Sequence, residues 1–231
     1  MNTSVLPRSA QPQSTGLNSA TLRVGLVLTG WFLLVASLGG VGAFVAAPGT
    51  LPIPIAMGVG APLVAFFGWL RFSQSFRDFV LSLDLCLVAG MQAWRWAGLG
   101  FLSLYAHNIL PGMFALPAGL GDMAVGFAAP WMILSLVRRP DFAASAAFRR
   151  WNVLGMVDLV VAVSLGTLSA TLSTGAPGEI STAPMATLPL LLIPAFLVPL
   201  FFMLHTAALM QSRQIIRGLG RPEGRVSARV A

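Results

Sequence analysis

Six stretches of this chain are apolar over about the length of a bilayer crossing, and nothing else in the sequence constrains its fold as strongly. They run over 22–46, 52–70, 93–110, 113–137, 151–173 and 186–210. Each is close to the roughly 20 residues that a helix needs to cross about 30 Å of hydrocarbon. In lipid a backbone must satisfy its own hydrogen bonds, which single segments do only as helices. The composition agrees: 56% of the 231 residues are hydrophobic and 9% charged, with a mean hydropathy of +0.82. A soluble domain carries about 25% charged residues. The expected fold is all-α: a polytopic membrane helix bundle of six transmembrane helices, arranged as three hairpins, with the lipid bilayer as its main partner.

The arginines set the expected topology. All fourteen basic residues are arginine. Arg8 and Arg23 stand at the start of the first run, and Arg71 and Arg77 follow the second. Arg138, Arg139, Arg149 and Arg150 lie between the fourth and fifth, and Arg213, Arg217, Arg221, Arg225 and Arg229 follow the sixth. With six spans every cluster falls on one face, whereas a seventh would split them. The positive-inside rule then places both termini in the cytoplasm. Membrane topology accounts for the net charge of +7, so nucleic acid is not an expected partner. Alanine, glycine and exclusive arginine usage fit a high-GC bacterial source and its inner membrane. The expected division is a disordered N-terminal tail at 1–20, one transmembrane domain at 21–211 and a basic cytoplasmic tail at 212–231. The run FVLSLDLCLVAGM at 79–91 is too short to cross and reads as an interfacial helix with Asp84 turned to water.

The same residue counts exclude several chemistries. Without lysine there is no Schiff base and no Walker A phosphate loop. With Cys86 as the single cysteine there is no intramolecular disulfide and no thiolate metal cage. His107 and His205 fall roughly 18 Å apart in depth on a helical rise, which argues against one haem between them. No cofactor and no metal are expected.

What remains is a polar seam. Ala118, Asp122 and Gly126 recur every fourth residue in the fourth run, with Gly119 beside them, and Asn152, Gly155, Asp158, Ala162 and Gly166 form a stripe in the fifth. In the third, Trp96, Gly100, Ser103 and His107 share a face. Small residues mark close helix approach in membranes, so Asp122, Asp158 and His107 are expected to face protein. Depth divides them: Asp122 and His107 lie roughly 4 and 8 Å to the outside of the midplane, Asp158 ~6 Å to the inside, and His205 and Arg95 near ~10 Å. An outer Asp122–His107 pair and an inner Asp158, Arg95 and His205 group are therefore expected, with Arg95 snorkelling to the headgroups. A charged aspartate at mid-span costs about 2.5–3.5 kcal/mol on insertion scales. The seam is either an ion or proton relay or a set of packing hydrogen bonds.

Two resemblances bear on function. GLGD at 119–122 resembles the GxGD signature of intramembrane aspartyl proteases, and IPAF at 193–196 resembles the Pro-Ala-Leu element of their presenilin branch. The resemblance implies proteolysis by two aspartates sharing a proton. The sequence departs from it in placing Leu83 before Asp84, where that branch has a tyrosine, and in having six rather than nine spans. LPAGLGD, WNVLGMVD and FLVPLFFMLH resemble stretches of uncharacterised bacterial polytopic membrane proteins, which implies no activity. The first reading is a non-enzymatic inner-membrane protein, transporter-like for a small solute or proton, or an accessory subunit of a membrane complex or homo-oligomer. Intramembrane aspartyl proteolysis is the alternative.

Overall fold

A computed structural model describes the backbone of residues 15–219 and the side chains of residues 21–219. Residues 1–14 and 220–231, and with them most of the expected N-terminal tail and the end of the basic tail, lie outside the described residues. The described chain is helical, with no strand among these residues. Helices α1 (Thr15–Gly40), α2 (Ile53–Phe72), α3 (Gln74–Leu81) and α4 (Leu85–Gln92) come first. A 3-10 segment (Ala93–Gly98) joins α4 to α5 (Leu99–Ala106), and α6 (Gly112–Arg138) and α7 (Ala146–Leu172) follow. A π-helical turn (Ile193–Leu197) leads into α8 (Val198–Leu219).

The boundaries have local causes. Pro52 and Pro54 open α2, where missing amide donors cost nothing. Ser73 ends α2 and caps α3, its hydroxyl accepting from the Phe76 amide at 3.2 Å. Asp84 caps α4 through the Cys86 amide at 2.7 Å and is exposed. Asn108, at φ 54, carries the left-handed turn before Pro111 and α6. Pro140 holds Arg139 extended and stops α6, and the Ser145 hydroxyl accepts from the Phe148 amide to start α7.

Among the described residues five helices are long and apolar enough to cross a membrane: Thr21–Gly40, Ile53–Phe72, Gly112–Arg138, Ala146–Leu172 and Ile193–Leu219. The stretch 79–91 is not one interfacial helix. It breaks at Ser82–Asp84; α3 ends before the break, and α4 runs on through the 3-10 segment into α5. Val88 and Ala89 of α4 are buried against α6. The cause is Asp84, which caps a new helix inside what the sequence presents as a single apolar run. Large apolar side chains such as Leu26, Val64, Phe127, Trp131 and Leu154 are exposed, a surface suited to lipid rather than water.

Helix α6 is central, packing on α4, the 3-10 segment, α5 and α7. Along it two apolar clusters alternate with polar residues. Phe101, Leu110, Phe114, Ala115 and Ala118 form one, towards the 107–111 turn. Val125, Ala129, Met132 and Leu136, with Val88, Phe148 and Trp151, form the other, towards the Arg138–Arg150 loop. Asp122 lies between them. By contrast α1 touches the bundle mainly through Trp31 and Val35, which cluster with Phe44, Leu191 and Ala195.

Candidate functional site

The 3-10 segment exists where the chain comes closest to α6. A Cβ at Gly126 would collide with the backbone of Trp96 and Arg95, and one at Gly98 would meet Asp122 Cβ and Gly119 O, each at 2.6 Å. Glycines on both partners let the two backbones touch. This contact carries Arg95, 2% exposed, into the middle of the bundle.

There Arg95 spends four of its five N–H donors on three helices. Its Nε donates to Asp122 Oδ1 of α6 at 2.7 Å. One terminal nitrogen donates to Asp158 Oδ2 of α7. The other donates to the Gly155 carbonyl at 3.2 Å and meets His205 Nε2 of α8 at 3.1 Å. The protonation of His205 is set by its neighbours. Asn152 Nδ2 donates to the Phe148 carbonyl at 2.9 Å, which turns Oδ1 of the amide towards His205 Nδ1, also at 2.9 Å. Nδ1 therefore carries the proton, Nε2 is a lone-pair acceptor for Arg95, and the ring is neutral. His205 is 0% exposed and Asn152 1%. Gly155 and Gly121 make the room: a Cβ at the first would strike the His205 ring, and one at the second the Asp158 carboxylate.

The charge of this cluster does not close. One guanidinium faces two carboxylates and a neutral imidazole, so with both carboxylates ionised one negative charge is left over. Each aspartate gives Arg95 one oxygen and keeps the other free of hydrogen bonds among the described residues. Both side chains are partly accessible, at 18% for Asp122 and 15% for Asp158.

Asp122 also lines a cavity of about 330 Å³. Its walls include Phe101, Phe114, Leu159, Val163 and Ile193, and its mouth is formed by the loops at 44–52 and 173–186. At the mouth Glu179 accepts from the amides of Thr174 and Gly175, at 2.9 and 2.7 Å. The Thr174 N–H above all holds the Glu179 carboxyl below the usual glutamate range. At the other side of the cluster the apolar residues around Phe148 and Trp151 pack shut.

The structure thus brings together Arg95, Asp122, Asp158, His205 and Asn152 in one cluster, in place of the two expected layers. His107 is not the partner of Asp122. Its Nδ1 donates to the Ser103 carbonyl at 2.8 Å, and both residues are exposed, as are Trp96 and Gly100. The four share a face, but it is the outward one: the buried stripe is Gln92, Arg95, Gly98 and Phe101, at the three-residue steps of the 3-10 segment. Arg95 does not snorkel, because its full burial is matched by four acceptors, and His205 is not a boundary residue. Sequence reasoning also missed Gln92, one turn before Arg95. It is fully buried, with Nε2 donating to the Phe201 carbonyl at 3.3 Å and Oε1 without a partner among the described residues. Its i, i+3 spacing from Arg95 was the available signal.

An all-helical body with several bilayer-length apolar helices around a buried arginine–aspartate cluster defines an integral membrane protein. More specifically, the chain belongs to the family described as a domain of unknown function (DUF8737), which it matches over residues 52–213. Every residue of the cluster lies inside that match, and α1 lies outside it. No curated protein and no solved structure matches the chain.

Proposed function

We propose that this protein is a transporter-like inner-membrane protein of a bacterium, in which the Arg95–Asp122–Asp158 cluster binds a coupling cation, most simply a proton. The observation that carries this is the surplus negative charge inside the bundle. An uncompensated charge at membrane depth is costly, and a proton or cation bound at the free oxygen of Asp122 removes it. The cavity leads from Asp122 to the 173–186 loop, while the opposite end is packed shut, an arrangement that admits solutes from one side only. The π-turn at Ile193–Leu197 supports the same reading. It includes Pro194, its first two residues line the cavity, and irregular backbone at membrane depth is tolerated where it borders a cavity.

The proposal includes six spans with both termini in the cytoplasm. The segment Leu85–Ala106 supplies the sixth: two eight-residue helices and six 3-10 residues extend about 36 Å at their ordinary rises. The one-sided arginines support the orientation. Aspartyl proteolysis fits the cluster less well. The second aspartate beside the GLGD motif is Asp158 rather than Asp84, and a proteolytic pair shares one proton between its carboxylates. Here the Arg95 guanidinium ties up an oxygen of each.

Proton flux into proteoliposomes, followed with an entrapped pH-sensitive dye under an imposed membrane potential, tests the function. Flux above that of protein-free vesicles is expected, and Asp122→Asn is expected to abolish it. Equal flux with and without protein refutes the reading.

A further inference from the structure

Among the described residues only two charged side chains line the cavity, Asp122 at its inner end and Glu179 at its mouth, and both are acidic. No arginine or histidine of the described chain lines it: Arg95 sits behind Asp122 with its guanidinium turned into the cluster. The rest of the wall is mostly apolar and in part aromatic, with the hydroxyls of Thr50, Thr167, Ser173, Ser181 and Thr182 set into it. Phe101 and Phe114 meet edge to face at 5.5 Å, and Phe44 lines the cavity as well. Binding sites for small molecules span about 300–1,000 Å³, and this cavity stands at the small end.

We infer that this cavity is the binding site for a small hydrophobic organic cation, an aryl or alkyl ammonium, whose charged head meets Asp122 and whose apolar body lies along Phe101, Phe114, Leu159 and Val163. Three features select this class. The free oxygen of Asp122 accepts one ammonium hydrogen without disturbing its bond to Arg95. The surplus negative charge of the cluster is cancelled by one positive ligand charge, whereas an anion would double it. Aromatic faces attract ammonium groups that are withdrawn from water. A strongly hydrated inorganic cation is the poorer fit, because the wall along Phe101, Phe114, Leu159 and Val163 is hydrocarbon and replaces none of its water shell. The inference rests on the cluster as a cation site but does not depend on transport.

The test is equilibrium dialysis of radiolabelled benzylammonium against the purified full-length protein in mild detergent, with benzyl alcohol and benzoate as the neutral and anionic counterparts. Saturable binding of one benzylammonium per chain is expected, with benzyl alcohol and benzoate failing to compete at equal concentration. Asp122→Asn is expected to weaken binding by at least about tenfold, the loss of one charge-assisted hydrogen bond. Val163→Phe, which fills the cavity without touching the cluster, is expected to abolish binding while the circular dichroism spectrum is retained. If Asp122→Asn does not fold, Val163→Phe decides alone. Absence of saturable binding, equal competition by benzyl alcohol or benzoate, or indifference to Val163→Phe overturns the inference. Binding without proton flux would keep it and sink the transport proposal, and flux without binding would do the reverse.

Discussion

Arg95 is the residue whose loss leaves most behind. Without it two carboxylates remain within the bundle with no cation, and breaking a buried ion pair costs about 3–5 kcal/mol. Arg95→Met is therefore expected to lower stability by that order, read as a fall in the unfolding midpoint in detergent. Removing the whole cluster, as Arg95→Met/Asp122→Leu/Asp158→Leu, is expected to restore most of the loss, since apolar replacement of buried charged groups is often neutral or stabilising. If the triple variant unfolds as easily as the single one, the cluster holds the fold by its shape rather than by its charge balance. The glycines divide in the same way. Gly155→Ala drives a methyl into the His205 ring, whereas Gly60 has open space around it. Gly155→Ala is expected to destabilise, and Gly60→Ala to be neutral or to stabilise by about 0.4–1 kcal/mol. Thermal unfolding of the two variants side by side checks this.

The six-residue 3-10 segment explains both what could be read from the sequence and what could not. In α6 and α7, regular helices of 27 residues each, four-residue spacing correctly gave Asp122, Asn152, Gly155 and Asp158 a common inward face. Over 93–107 the same spacing picks out the exposed face, because the buried residues there, Arg95, Gly98 and Phe101, recur every third residue, and no residue in AWRWAG announces the change. It arises from close contact with Gly119 and Gly126, a tertiary cause invisible in a local window. The nearness of Asp122 to Arg95 is hidden by a boundary: an apolar run that starts at 93 leaves Arg95 near its end, whereas the helical segment starts at Leu85 and holds Arg95 in its middle. His107 consequently stands on the exposed face, away from the cluster. His107→Ala is expected to shift stability by no more than about 0.5 kcal/mol, as at ordinary surface sites, and to leave proton flux unchanged. A loss comparable to that of Arg95→Met would restore the Asp122–His107 pairing.

At the scale of the whole molecule, six spans would put the 41–52, 107–111 and 173–192 connections on one side of the membrane and the 73–84 and 139–145 connections on the other. With Cys86→Ala as background, single cysteines at Thr174 and Gln214, both exposed, are expected to label from opposite sides of the membrane. Labelling from the same side refutes the six-span topology. The position of Arg95 also bears on the order in which the chain is made. Synthesis delivers the Leu85–Ala106 segment first, with a buried arginine and a buried glutamine in its middle. Asp122 emerges 27 residues later and Asp158 63 residues later. An arginine at the centre of a lone helix opposes membrane insertion by about 2.5–3.5 kcal/mol, and at that moment nothing opposes its charge. The segment is thus poorly equipped to leave the translocon by itself. Its first counter-charge comes with α6, so on the six-span reading the two are expected to enter the bilayer as a pair, the arginine waiting on the aspartate.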